Sequence, residues 1–367
     1  MLRVCGITYD HTVNYGSCLQ AYALQEAVRN TKLPNGEKCS YGLIPIRTFK
    51  DWPAPMSLAR VFLFPMIAFH RTQFSSFEKK HLNFVPVKSI KDLPELNMNA
   101  DAFVCGSDVI WNPDLNYGLD AFYLDFARKY KFSYAASFGK SEVSNQVIEQ
   151  TKKHIQSFNS ISVREEAGLN ILRKCTEKPI KVVCDPVILI DNSKWESLLA
   201  QNTHQERFIF VYITHISSSF KMFLDQLSST TGLKIVYAAY GPKQALKQGM
   251  LQVQTPEKWL QLLHDAEYVV TNSFHATAFS VLFHKKFFTV VKGDKAKGIN
   301  VRMNDFLNTI GLPDRIFSDI PEQLDLSEID YAPVDEKIEE MRTESLQFLQ
   351  KNLEAAYQQK LESEKQG

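Results

Sequence analysis

The chain has 367 residues, of which 44% are hydrophobic and 23% are charged. This length fits two domains better than a single core, and the composition excludes a disordered or fibrous protein. The 42 lysines and arginines are balanced by 41 aspartates and glutamates, so the overall charge does not predict a nucleic-acid partner, and any anion site must be local.

The first predicted element is a strand at residues 2–8, which the loop Asn14-Tyr15-Gly16 connects to a helical pattern. Further short apolar segments are predicted strands that alternate with helical patterns: 102–105, 132–136, 160–163, 181–184, 208–213, 234–238, 268–271 and 287–291. Such alternation is typical of parallel sheets covered by helices on both faces. The sequence therefore predicts the α/β class.

Residues 56–69 form an apolar segment, which His70, Arg71, Lys79 and Lys80 follow. The segment is too short and too interrupted to cross a bilayer. One interpretation is a packed core segment. The other is an amphipathic surface at residues 56–71 that contacts a membrane or a lipid-linked substrate, with the basic side chains near headgroups or pyrophosphate.

Two features predict the domain organisation. The polar stretch at residues 201–205 is the best candidate for a domain boundary, because linkers are polar and exposed. Apolar residues recur at helical spacing near the end of the chain and predict a long amphipathic helix; these residues are Val334, Ile338, Met341, Phe348, Leu349 and Leu353. We predict domains at 1–200 and 206–333, and a helix at 334–367 that packs back across them.

The cysteines form no CxxC pair and no metal-ligand spacing; they are Cys5, Cys18, Cys39, Cys105, Cys175 and Cys184. Such thiols are typical of proteins in a reducing compartment. The amino terminus runs directly into a predicted strand and has no signal-peptide pattern. These observations predict a cytoplasmic protein with no metal and no cofactor.

The segment 269–283 places a histidine at the start of a helix. A strand is expected to end near Thr271, Ser273 is a natural N-cap, and His275 then lies in the first turn. A helix N-terminus attracts phosphate or carboxylate, and an imidazole beside such an anion is favoured in its protonated form. His275 is therefore a candidate proton donor. The alternative is a histidine that only caps or packs.

Arg164 follows a predicted strand at its carboxyl end, where the ligand clefts of parallel sheets lie. A guanidinium at this position can bind a carboxylate or a phosphate through two parallel hydrogen bonds. The alternative is a surface ion pair with Glu165 or Glu166, which is common and contributes little energy.

In the segment 103–113, Ser107 and Asp108 come directly after a predicted strand. Small residues there let a substrate approach the backbone. Asp108 is a candidate base for a sugar hydroxyl, and Trp111 is a candidate platform for a sugar ring. The alternative is a turn aspartate and a buried tryptophan. Asp185, which precedes a proline after another strand, predicts a structural turn without chemistry.

Four ordered segments resemble those of the polysaccharide pyruvyl transferase family: NYGSCLQAYALQ, FVCGSDVIWNP, ISVREEAGLNIL with CDPVILI, and VVTNSFHATAFSVLF. The sequence departs from the family pattern where Asn272 stands for Asp, Ala276 for Gly and Val109 for Gln. The resemblance implies two Rossmann-like doubly wound domains that face a cleft, the GT-B-like arrangement. It also implies pyruvyl transfer from phosphoenolpyruvate onto two hydroxyls of a sugar, giving a cyclic ketal and phosphate.

The resemblance further implies roles for individual residues. His275 and Asp108 are the expected catalytic residues, as general acid or phosphate partner and as base. Arg164 and Arg302 are expected to hold the donor phosphate and carboxylate. The full set of expected substrate-binding residues is Asn14, Tyr15, Gly16, Ser107, Trp111, Arg164, Ser273 and Arg302.

The expected partners are phosphoenolpyruvate and a sugar acceptor, either free or lipid-linked at the inner face of the membrane, during biosynthesis of an exopolysaccharide or capsule. The first domain is the expected acceptor side and the second the donor side. Two alternatives stay open. One is a nucleotide-sugar glycosyltransferase or sialyltransferase-like enzyme on the same scaffold, because a fold does not fix the donor. The other is a noncatalytic glycan-binding protein, which the departures from the family pattern motivate.

Overall fold

The structure is a computed structural model that describes residues 1–9, 14–45, 64–115, 120–199, 206–213, 218–238, 254–291, 297–317 and 324–366. The predicted boundary at 201–205 lies outside the described residues. So do residues 56–63 of the predicted amphipathic surface, and the side chains of residues 64–70.

The strands of the first sheet come from the amino-terminal half of the chain. They are β1 Leu2–Ile7, β2 Cys39–Leu43, β3 Ala102–Cys105 and β4 Tyr130–Ser133. They pair in parallel in the order β2-β1-β3-β4. Two further parallel strands, β5 Ile161–Val163 and β6 Ile180–Val182, continue the sheet beyond β4 through bridges from Phe132 to Ser160 and from Ala136 to Val163.

The strands of the second sheet are β7 Phe208–Tyr212, β8 Lys234–Tyr237, β9 Tyr268–Thr271, β10 Lys286–Val290 and β11 Ile316–Phe317. They are also parallel, in the order β11-β10-β9-β7-β8. In both sheets the strand order reverses beside the first strand, so the switch points lie between β1 and β3 and between β7 and β9. Ligands bind outside the carboxyl ends of strands at such points. The predicted fold class, two doubly wound α/β units, is confirmed.

The helices follow the strands. They are α1 Tyr15–Asn30, α2 Phe64–His81, α3 Leu96–Asn99, α4 Asn145–Ile155, α5 Glu166–Leu172, α6 Pro186–Leu189, α7 Asn192–Glu196, α8 Ser218–Thr231, α9 Pro256–Asp265, α10 Phe274–Leu282, α11 Lys297–Thr309 and α12 Ala332–Gln366. Among the described residues, none of these helices combines the length and the apolar character that a membrane span requires.

One hydrophobic core extends through both units. It includes residues of β1, β3 and α1 together with residues of β7, α9 and α10. At its centre the Tyr15 ring stacks on Trp259, with 5.1 Å between centroids, and meets Tyr212 edge-on at 5.6 Å. Because large aromatic rings bury much apolar area, this cluster fixes the start of α1 against the second unit.

The terminal helix α12 contacts both units. Near its start, Asp335 pairs with His284 of the second unit at 2.9 Å. Further along, the Ser345 hydroxyl accepts from the Cys184 amide at 2.9 Å, and Asn352 accepts from the Tyr130 hydroxyl at 3.0 Å. The helix thus forms one wall beside the ends of β5 and β6.

Candidate active site

Polar side chains from both sheets meet where the strands end. The amino terminus of α1 follows β1, and the loop at residues 106–108 follows β3. Arg164 follows β5, Asp185 follows β6, and His275 follows β9. Because all these strands are parallel, their carboxyl ends bring the side chains together at the switch points of both units.

His275 lies in the first turn of α10, as predicted, and Ser273 is the N-cap of that helix, accepting from the Ala276 amide at 3.4 Å. The histidine is only 5% exposed. Its ring lies against Gly16: a Cβ on that glycine would lie 2.2 Å from His275 Nδ1 and 2.4 Å from Cγ. The glycine of the first motif is therefore required by the close approach of the imidazole.

Asp185 connects Ser107, Arg164 and His275 into one polar cluster. The interpretation of Asp185 as a structural turn alone is therefore wrong. One oxygen does cap α6, accepting from the Val187 amide at 3.1 Å. The other oxygen lies 2.5 Å from Arg164 Nη1, 3.2 Å from the Ser107 hydroxyl and 3.5 Å from His275 Nε2. Asp185 is 1% exposed, so its carboxylate contacts a guanidinium, an imidazole and a hydroxyl in a dry environment.

Arg164 is buried, with its side chain 2% exposed. The alternative of a surface ion pair is therefore wrong. Besides Asp185, the guanidinium lies 3.6 Å from Glu165 Oε2 and 3.8 Å from Asp108 Oδ1, and it covers the ring of Phe274 at 4.7 Å. Such a guanidinium is fixed in position and directed at the centre of the cluster.

Asp108 forms the other anionic centre. Its backbone has a φ of 62°, a left-handed conformation that aspartate tolerates better than most residues. The carboxylate accepts from the Ser17 hydroxyl at 2.6 Å and from the Val109 amide at 2.9 Å. Arg302 Nη1, on α11 of the second unit, lies 3.8 Å from Asp108 Oδ1. The two units thus contribute opposite charges to one site.

Burial alone would raise the pKa of Asp108 and of Asp185. The nearby His275 and Arg164 outweigh burial, so the pKa of each carboxyl lies below its usual range. Both carboxylates are therefore ionised at neutral pH, and they stabilise the positive charge of Arg164.

The model of the family described as polysaccharide pyruvyl transferase matches residues 14–291. The chain belongs to the polysaccharide pyruvyl transferase family. The match includes every residue of the cluster except Arg302 of α11, so the cluster is the candidate active site of a transferase.

Solved structures resemble the chain at low sequence identity. A protein assigned as a UDP-N-acetylglucosamine 2-epimerase from Listeria monocytogenes has a TM-score of 0.50 at 8% identity, covering 96% of this chain and 89% of that chain. MnaA of S. aureus with UDP gives 0.48 at 13% identity, covering 97% and 92%. The E. coli heptosyltransferase WaaC with ADP gives 0.42 at 13%, covering 93% and 100%. The first of these likenesses supports the fold alone. No curated protein matches the chain.

The predicted role of Trp111 in stacking on a sugar ring is wrong. The side chain is fully buried, its indole N–H donates to the Phe122 carbonyl at 3.2 Å, and its ring stacks on Tyr123 with 5.5 Å between centroids. Its aromatic face is therefore covered by the core of the first unit, and the alternative of a buried tryptophan is the correct one.

The remaining predicted residues differ in what they can reach. Tyr15 is 1% exposed and stacks on Trp259 in the hydrophobic core. Its ring therefore packs behind the site and does not face a ligand. Asn14 caps α1 by accepting from the Ser17 amide at 3.3 Å. Ser107 is buried and donates to the Ala135 carbonyl or to Asp185, each at 3.2 Å. Its hydroxyl orients Asp185.

One group in the described part of the chain has metal-ligating spacing. Asp120, Asp125 and His154 place ligand atoms within 4.8 Å of one another. The histidine Nδ1 lies 2.6 Å from Asp125, and its ring stacks on Tyr123. Both carboxylates are exposed, and the group includes none of the residues of the cluster described above.

Proposed function

We propose that the enzyme transfers the pyruvyl group of phosphoenolpyruvate to two hydroxyls of one sugar in a polysaccharide or lipid-linked glycan precursor. The observation that supports this most is the convergence of His275, Arg164 and Arg302 on two buried carboxylates at the switch points. Phosphoenolpyruvate carries a phosphate and a carboxylate, and each requires a fixed cation or hydrogen-bond donor.

The reaction makes three demands on the site. The methylene carbon of the donor takes a proton and becomes a methyl group. The neighbouring carbon forms a bond to each of two sugar oxygens, and its bond to the phosphate oxygen breaks. Two protons leave the sugar hydroxyls: in the net balance one is matched by the proton on the new methyl group, and the other leaves with phosphate. The site must therefore supply a proton, accept a proton and stabilise a departing anion.

His275 is the residue that supplies the proton or binds the phosphate. Asp185 lies 3.5 Å from Nε2, and Gly16 lies against the opposite side of the ring, so the imidazole is held from both sides. A buried, oriented histidine side chain is suited to proton transfer and to phosphate binding.

Arg164 and Arg302 hold the anionic groups of the donor. The Nε and Nη2 atoms of Arg164 make no hydrogen bond to the described residues, although they are buried. A donor oxygen can accept from Nη2, which lies on the side of Asp108, with no loss of an existing hydrogen bond. Arg302 comes from the other unit, so a bound donor contacts both sheets.

Asp108 orients the attacking hydroxyl and accepts its proton. A carboxyl of low pKa is a weak base, and its main contribution is therefore orientation of the hydroxyl before the proton moves. In this scheme the first unit, with Asn14, Ser107 and Asp108, is the acceptor side. The second unit, with His275 and Arg302, is the donor side, and the chemistry requires no metal.

The test is product formation from phosphoenolpyruvate and a panel of methyl glycosides of galactose, glucose, mannose and N-acetylmannosamine. We expect a ketal methyl singlet in the proton spectrum and an equal amount of inorganic phosphate in the phosphorus spectrum. His275→Asn should abolish both signals, whereas Arg29→Gln, a remote surface control, should leave them unchanged. Phosphate without ketal, or turnover of a nucleotide sugar in place of phosphoenolpyruvate, would contradict the proposal.

A further inference from the structure

A cavity of about 350 Å³ lies beside Arg164, on the side that faces the terminal helix. Its walls come from the ends of β5 and β6, from α11 of the second unit and from α12. Asp185 and Arg302 of the cluster also line it. The volume lies within the range of small-molecule sites, about 300–1,000 Å³. The cavity is therefore continuous with the proposed active site and large enough for a ligand.

Two buried side chains of the cavity wall have polar atoms that make no hydrogen bond to the described residues, although their other atoms bond to Asp185 and Ser137. They are Arg164, at Nε and Nη2, and Glu165, at Oε2. The side chains are each 2% exposed, and the two groups are 3.6 Å apart without a hydrogen bond. Buried polar atoms without partners are costly. A ligand that accepts a hydrogen bond from Arg164 Nε and donates one to Glu165 Oε2 would satisfy this pair, while Arg164 Nη2 stays available to the donor.

The charge of the wall limits the ligand further. Six carboxylates and three cationic side chains line the cavity. Glu340 of α12 and Asp305 of α11 are among the carboxylates. Burial is the main cause that raises the pKa of Asp305, and the negative charges of Glu165 and Glu166 raise it further. An additional anion would meet a net negative wall, which repels it. Phe306 and Met341 supply apolar surface.

A sugar ring without a charge combines these properties. Each of its hydroxyls donates one hydrogen bond and accepts others, so it can satisfy a carboxylate and a guanidinium at once. Its C–H surface matches apolar side chains. A uronic acid or a phosphorylated sugar has the same shape but would add negative charge opposite the carboxylates.

We propose that this cavity binds a neutral sugar ring of the acceptor glycan and selects against anionic sugars, an inference that rests on the proposed function. The terminal helix then contributes to acceptor specificity through Glu340. The donor anion binds on the other side of Arg164, near His275.

The test measures binding of methyl glycosides to the full chain by saturation-transfer difference NMR, with and without phosphoenolpyruvate. Thr309 is exposed on α11 and lines the cavity, so Thr309→Trp should fill its mouth without disturbing the core. Asn308→Trp, at an exposed neighbouring position that does not line the cavity, is the matched control.

We expect at least one neutral methyl glycoside to bind the unmodified protein and methyl glucuronide to bind at least tenfold more weakly. Thr309→Trp should weaken the neutral glycoside at least tenfold, and Asn308→Trp should not. Glu340→Gln should narrow the discrimination against glucuronide by about two- to fivefold, as expected for one exposed charge, whereas Glu336→Gln on the same helix should leave it unchanged.

Neutral glycoside binding that survives Thr309→Trp would overturn the assignment of the cavity, as would preferred binding of glucuronide or no glycoside binding at all. Failure of the proposed function is seen separately. In that case glycosides bind at the cavity as described, but phosphoenolpyruvate neither stabilises the protein nor yields a ketal.

Discussion

Gly16→Ala tests whether the glycine of the first motif positions His275, the proposed catalytic residue. The new methyl group would lie 2.2 Å from His275 Nδ1, whereas ordinary contact begins near 3.4 Å. The ring must therefore retreat by about 1 Å, and a displacement of that size costs on the order of 100-fold in rate, or about 2.7 kcal/mol of transition-state stabilisation.

The effect on stability should be smaller, because two contributions oppose each other. Alanine in a helix is favoured over glycine by about 0.8–1 kcal/mol, while overpacking costs about 1–3 kcal/mol. Gly16→Ala should therefore stay folded with a loss of at most about 2 kcal/mol. The measurement is kcat for ketal formation alongside urea unfolding.

Gly168→Ala is the matched control for that substitution, because it changes the same residue type in a helix beside the site. Its new methyl would lie 3.2 Å from Val163 Cβ, a contact that a shift of a few tenths of an ångström relieves. We expect kcat within about threefold of the unmodified enzyme. If Gly16→Ala kept more than a third of the activity, the argument that Gly16 positions His275 would be refuted.

Three further predictions follow from the site. Asp185→Asn removes the negative charge beside Arg164 and His275 and should lower the free energy of unfolding, measured by urea denaturation, by about 3–5 kcal/mol. A loss under about 1 kcal/mol would show that this carboxylate contributes little to stability. Asp108 and Asp185 have lowered pKa values in the folded state, so their stabilisation is present above the unfolded value near 3.9 and is lost as the pH falls below about 4. Urea midpoints measured from pH 7 to 3 should show that loss, and the midpoint should fall less steeply with decreasing pH in Asp185→Asn. An equal pH dependence of the midpoint in both proteins would contradict this prediction. Trp111→Phe should lower stability without changing the acceptor KM, and a raised KM would restore the sugar-stacking role.

The strand pattern could be predicted from the sequence because buried parallel strands are short apolar runs. The strands at 102–105 and 268–271 agree with the structure at both ends, and each of the other predicted strands differs from the structure by one to three residues at one or both ends. β2 and β11 were not predicted. β2 has a glycine and a serine in its interior, and β11 has only two residues, so neither has the pattern of a strand.

The position of His275 could be predicted because it depends on local chemistry, namely an N-cap serine after a strand. The part played by Asp185 could not, because an aspartate before proline has the same local pattern whether or not its second oxygen meets Arg164 and His275. Ser17 was missed for the same reason, because its partner is Asp108. The two residues are 91 positions apart in the sequence.

The error at Trp111 has a related cause. Its residue type and its place after a strand suit both a sugar platform and a core position. The rings that cover it, among them Tyr123 and Phe158, come from other elements of the first unit. Burial by distant elements is a property of the folded chain, which no local pattern reports.

The most direct test of pyruvyl transfer is thermal unfolding of the unmodified protein with phosphoenolpyruvate, inorganic phosphate, ADP or UDP, repeated on His275→Asn and Arg302→Gln. A ligand at 100 times its Kd stabilises by about 2.7 kcal/mol. The account predicts a shift with phosphoenolpyruvate that exceeds the shift with phosphate and falls in both variants. Stabilisation by a nucleotide and not by phosphoenolpyruvate, or an equal shift in all three proteins, would contradict it.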